Sequence, residues 1–99
     1  MPALTSKQRS HLRSLAHPLK PMLQTGAEGV SDAFLTALDE AFNTRELLKV
    51  RVLDTSDLSV KEAARAIAER RSGVEVVQTI GHVAVLYRPF PDEPEIDLP

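Results

Sequence analysis

Apolar residues recur along this chain with two different periods, and the switches between them divide it into elements. Thr5-Ser6-Lys7-Gln8 has the spacing of a capping box, with Thr5 as N-cap and Gln8 reaching back to it. Leu12, Leu15 and Ala16 follow at helical spacing, and Pro18 ends this first helix. Lys20 to Gln24 reads as a short strand, with Pro21 near its start, where a missing N–H is tolerated. Beyond Gly26-Ala27-Glu28-Gly29, Ser31 is a suitable N-cap for a second helix. Phe34, Leu35, Leu38, Ala41 and Phe42 form its apolar stripe, and Asn43-Thr44 stops it. Glu46 to Leu53 alternates, with Leu48, Val50 and Val52 on one side and Lys49 and Arg51 on the other. A second capping box, Ser59-Val60-Lys61-Glu62, opens a third helix that turns Val60, Ala63, Ala64, Ile67 and Ala68 inward. Arg70 and Arg71 lie in its last turn, where cations favour the helix dipole. Val74 to Ile80 and Val83 to Tyr87 are rich in β-formers and read as a hairpin about Gly81-His82.

The order α-β-α-β-α-β-β predicts an α/β domain. Two strand–helix–strand units imply right-handed crossovers and parallel pairs, and the hairpin adds an antiparallel partner. The expected fold is a compact two-layer arrangement, with a four-stranded mixed sheet packed against three helices. A chain of 99 residues has room for one core, so residues 1–88 are expected to form a single domain. Residues 89–99, PFPDEPEIDLP, combine prolines with carboxylates and are expected to form a disordered or extended tail.

The net charge of −2 hides an uneven distribution. Of the 14 acids, four (Asp92, Glu93, Glu95, Asp97) lie in the tail, leaving 12 bases against ten acids in the body. No acid precedes Glu28, whereas Lys7, Arg9, Arg13 and Lys20 do, together with His11 and His17. Such asymmetry points to a polyanionic partner, with a solvated basic helix as the plain alternative. The tail could also fold back on this basic face and compete for it. The chain has no cysteine, which excludes disulfides and thiolate metal sites. No apolar run reaches the roughly 18 residues of a membrane span, and the start lacks a signal-peptide apolar region, so a soluble cytoplasmic protein is expected.

The glycine pair marks the candidate binding loop. Gly26 and Gly29 let a second backbone come close, and the helix start behind them offers free N–H groups to a negative ligand. An ordinary strand-to-helix turn has the same spacing. Catalysis is not expected. His11, His17 and His82 have no convincing carboxylate partner, and no GxSxG, P-loop or HExxH pattern occurs. No metal, cofactor or small-molecule substrate is implied.

Several features then coincide in order: Leu12, Ala16-His17, Leu19-Lys20-Pro21, Gly26-x-x-Gly29, Glu46-Leu47-Leu48-Lys49-Val50-Arg51-Val52, and Ile80-Gly81 leading to Val85-Leu86-Tyr87-Arg88. Together they resemble the YhbY-like family, also called the CRM domain for chloroplast RNA splicing and ribosome maturation, from about Leu4 to Arg88. The resemblance implies an RNA-binding domain similar in fold to the C-terminal domain of translation initiation factor three. It also implies a factor that associates with ribosomal RNA or a precursor of the large ribosomal subunit, and a monomer is expected. The family sets its GxxG loop against RNA, a role that carries onto Gly26, Ala27, Glu28 and Gly29. Family members usually have lysine after the first glycine; here Ala27 and then Glu28 stand in the loop. An exposed carboxylate there repels phosphate by about 1 kcal/mol or less. The binding role therefore shifts towards Lys20, Arg9, Arg13, Lys49 and Arg51. His17 is a further candidate, to stack on a base or donate to phosphate, with a helix-end cap as its plain alternative. A protein-interaction module that kept the fold and lost RNA is the alternative that Glu28 and the tail suggest.

Overall fold

Three helices and four strands follow in the predicted order: α1 (Ser6–Ala16), β1 (Leu23–Thr25), α2 (Asp32–Phe42), β2 (Leu47–Val52), α3 (Val60–Arg70), β3 (Glu75–Ile80) and β4 (Val83–Tyr87). The structure is a computed structural model and describes residues 4–99. Each helix starts where its cap predicts. The Thr5 hydroxyl accepts from the Gln8 N–H, and the Gln8 amide oxygen accepts in return from the Thr5 N–H. Ser59 and Glu62 repeat this exchange at α3, and the Ser31 hydroxyl accepts from the Phe34 N–H at α2. The bond from the Ser59 N–H, and after it the Ser59 side chain, hold the Glu62 carboxyl below its ordinary range. A carboxyl with a lowered folded pKa stabilises the fold above its unfolded value of about 4.3, and the contribution fades as pH falls through the folded value. Glu62→Gln is therefore expected to flatten the fall in stability on acidification, as urea melts in acid and at neutral pH would show.

β1 is shorter than predicted and begins later. Leu19 is still tied to Ala16 by a backbone bond, Pro21 has no N–H to donate, and pairing starts only with the Met22 N–H on the Lys49 carbonyl. The sheet order is β1-β2-β4-β3. β1 and β2 pair in parallel, as the first crossover requires, with Leu23 opposite Val50 and Thr25 opposite Val52. The second crossover does not bring β2 beside β3, because the hairpin places β4 between them, antiparallel to both. Gly81, at φ 58, occupies the first central position of the two-residue turn, which a type II′ hairpin reserves for glycine.

The expected two layers are in fact three. Leu48, Val50, Ala84 and Leu86 pack with α2 and α3 through Phe34, Leu35, Leu38, Phe42 and Ile67. Leu47, Val85 and Tyr87, which alternate with them along β2 and β4, pack on the opposite face with Leu12 and Ala16 of α1. The two central strands are thus covered on both sides, which explains the unbroken apolar run Val83 to Tyr87. Leu15, expected in the buried stripe of α1, is 40% exposed, because the narrow helix face touching the sheet is filled by Leu12 and Ala16.

The tail, expected to be disordered or extended, has no regular secondary structure and is held against the body. Both Glu46 carboxylate oxygens accept from its backbone: Oε2 from Phe90 (2.6 Å), and Oε1 from Glu95 (2.9 Å) and Ile96 (2.7 Å). Ile96 and Leu98 pack on the α1-side cluster, and Gln8 donates to the Pro99 carbonyl. Burial, and then the nearby Glu46 charge, raise the pKa of Tyr87 in the same cluster.

Candidate nucleic-acid interface

The glycine segment leaves the C-terminal end of β1 as a tight turn. The Gly29 N–H donates to the Gly26 carbonyl (2.9 Å), and the buried Thr25 hydroxyl donates to the Gly29 carbonyl. The two glycines are required for different reasons. Gly29 has φ 65, a left-handed conformation that other residues avoid. Gly26 has no such dihedral, but a Cβ there would lie 2.8 Å from Thr55 Oγ1 and 3.3 Å from Leu53 Cδ1. The β2–α3 loop therefore packs directly on the Gly26 backbone. Ala27 and Glu28 form the exposed corner of the turn.

The exit of the turn is clamped from α3. Arg70 donates to the Val30 carbonyl and pairs with Asp32 at the start of α2. Arg71 grips Asp39 with both carboxylate oxygens 3.0 Å from Nε. These two arginines, read above as favourable to their own helix end, instead tie α3 to α2. Arg88 also approaches Asp39 and lies over the Phe42 ring, 5.0 Å from its centroid.

The sequence-predicted cations divide into those the fold consumes and those it leaves exposed. Arg9 is not on the outer surface expected of a phosphate ligand. Its Nη1 donates to the Val76 (2.7 Å) and Val77 (3.1 Å) carbonyls of β3. Successive carbonyls of a regular strand point to opposite sides, so one nitrogen reaches both only because the register shifts between Val76 and Gln78. Lys49 is partly committed, with Nζ 2.9 Å from the Leu19 carbonyl. Arg13, His17, Lys20 and Arg51 are exposed, and among the described residues no hydrogen bond or ion pair engages their side chains. Of these, Lys20 and Arg51 come together in a groove of about 500 Å³, with Pro21, Met22, Leu23 and Gln24. Arg13 and His17 stand on α1 outside it.

On the other side of β1 a second groove of about 300 Å³ begins at Gly26, Glu28 and Gly29 and continues along Ala33, Phe34 and Ala37 of α2. Sequence reasoning missed the β1 and α2 residues of this groove, whose only visible signal is the pair of alanines four apart on one helix face. Phe34, Phe42 and Tyr87 are buried. The tail is anchored at Glu46, just before β2, whereas the glycine turn lies level with Val52 at the other end of that strand. Six residue steps, roughly 20 Å, separate the two levels. Among the described residues no group of three or more His, Asp or Glu is placed to hold a metal, and no helix is long and apolar enough to cross a membrane.

A mixed sheet covered on both faces, with a glycine turn at one edge and an exposed cationic groove beside it, defines a compact α/β domain built around an open strand edge. The chain belongs to the CRS1 / YhbY (CRM) domain family, whose model matches residues 4–88. It is 41% identical over 97% of its length, and over 99% of the other chain, to a Bacillus subtilis protein named "Probable RNA-binding protein YqeI". It is 38% identical over its full length, covering 98% of the other chain, to a protein of Haemophilus influenzae named "RNA-binding protein". Among solved structures it is similar to the solution structure of SAV1595 from Staphylococcus aureus. That match has a TM-score of 0.77 and 38% identity, and covers 97% of this chain and 99% of that one.

Proposed function

We propose that this protein binds RNA in the cytoplasm and acts in assembly of the large ribosomal subunit, without catalysing a reaction. The observation that carries the RNA-binding reading is the groove in which Lys20 and Arg51 stand exposed and unpaired beside β1. Two such cations on one face release counterions when a phosphate backbone replaces water, which is the main source of affinity for nucleic acids. The names of the relatives support the same partner. The proposed contact set is Lys20 and Arg51 with the turn Gly26, Ala27, Glu28 and Gly29, joined by Arg13 and His17 from α1. Lys49 contributes with the part of its charge not committed to Leu19, and Arg9 is excluded by its bonds to β3. The role in subunit assembly rests on the family resemblance.

The test is RNA binding across a salt series, with a fragment of ribosomal RNA and an unrelated duplex. Lys20→Ala with Arg51→Ala is expected to weaken binding at low salt and to flatten the log–log salt slope by about one for each cation removed. Co-sedimentation with precursors of the large subunit tests the assembly role. The one observation that favours a protein partner instead is Glu28, exposed at the corner of the turn. Absence of RNA binding at low salt would select that reading.

A further inference from the structure

β1 is an edge strand with an open groove on each side, and Leu23 and Gln24 line both. The two grooves differ in chemistry. The one on the Lys20 side carries two cations. The one on the α2 side has no cation; Leu23, Phe34 and two alanines give it apolar walls, and Glu28 stands where it meets the turn. A phosphate would be repelled there. A flat group with apolar faces and polar edges would not.

The backbone supplies partners for such edges. The Thr25 carbonyl accepts from the Leu53 N–H across the β1–β2 pair, at 2.8 Å. Successive residues of a strand direct their backbone groups to opposite sides, so the N–H and C=O of Gln24 point away from β2, to the open edge. One donor and one acceptor side by side match the hydrogen-bonding edge of a nucleobase. Ala33 and Ala37, four apart on α2, keep the space above them open; a longer side chain at either position would fill it.

We propose that this groove takes one unpaired RNA base, lying between β1 and α2 with an edge on the Gln24 backbone, while its phosphates pass over the turn towards Lys20 and Arg51. A base inside a duplex has its pairing edge occupied and both faces stacked, so it cannot enter. The substrate class is therefore single-stranded RNA, with base contact as well as phosphate contact. This inference rests on the RNA-binding reading above.

Three probes separate the two claims: a mixed-sequence single strand of about ten nucleotides, within the range one small domain covers, its blunt duplex, and the same strand with abasic sites. Fluorescence anisotropy at low salt is expected to show the intact strand bound about tenfold tighter than the duplex or the abasic strand, the effect of removing one base from the groove. Ala37→Leu should erase this preference while leaving affinity for the abasic strand unchanged. Ala33→Leu, one turn earlier on the same border, should do the same, and thermal melting checks that both variants fold. Lys20→Ala with Arg51→Ala should weaken all three probes. A duplex or abasic strand bound as tightly as the intact strand would overturn the base-binding groove and leave RNA binding standing. So would alanine-to-leucine variants that fold and keep the preference. Failure of every probe to bind would overturn the RNA-binding reading and this inference with it.

Discussion

Replacing Glu46 by alanine will release the acidic tail and lower the stability of the domain by about 2 kcal/mol, or roughly 10 °C in Tm for a chain of this size. Glu46 is 3% exposed, and its carboxylate accepts three backbone N–H groups from the tail. Among the described residues no cation pairs with it; the ion pairs involve Asp32 and Asp39. The N–H bonds are therefore what offsets the cost of taking this charge out of water. Charge-assisted bonds contribute about 1.5–3 kcal/mol each, but the net loss is well below their sum. The freed tail N–H groups find water, and the buried charge disappears along with its desolvation penalty. Detachment also exposes Ile96 and Leu98, which adds to the loss. Amide exchange reads the effect directly: Phe90, Glu95 and Ile96 should lose protection together. Glu46→Gln keeps one acceptor oxygen and should retain about half of the stabilisation. Unchanged exchange at those amides in Glu46→Ala would show that the tail is held by other contacts.

The second large effect separates the two glycines of the turn. Gly29→Ala is expected to cost about 1–2 kcal/mol, because φ 65 brings Cβ against the following carbonyl, while the surrounding space is open. Gly29→Asn should cost distinctly less, since asparagine visits this conformation more readily than alanine. Gly26→Ala should cost about 1–3 kcal/mol for another reason, the close contact of its Cβ with Thr55 and Leu53. Thr55→Ala in the same chain should recover part of that loss, whereas it should not rescue Gly29→Ala. Thermal or urea melts of these single and double variants, with Thr55→Ala alone as the reference, decide the matter. Equal costs at both glycines with no rescue by Thr55→Ala would contradict this division of roles.

The parts of the molecule legible in its residues are those decided by neighbours a few positions apart. The helix starts at Thr5, Ser31 and Ser59 follow from caps that join residues three positions apart. The hairpin at Gly81-His82 follows from a two-residue turn, and the helix stripes follow from their period. The glycine turn and the candidate cations could be named from the chain alone, and so could the family. What Arg9, Arg70 and Glu46 do could not be read there. Each acts on a partner between 38 and 68 positions away, and a charged side chain looks the same in sequence whether it meets water, a carbonyl or a distant N–H. The placement of β4 between β2 and β3, the third layer made by α1, and the open edge of β1 also depend on which surfaces meet in three dimensions. Local rules specify the elements of this chain. The edge they leave open, and the cations still available beside it, are set by packing.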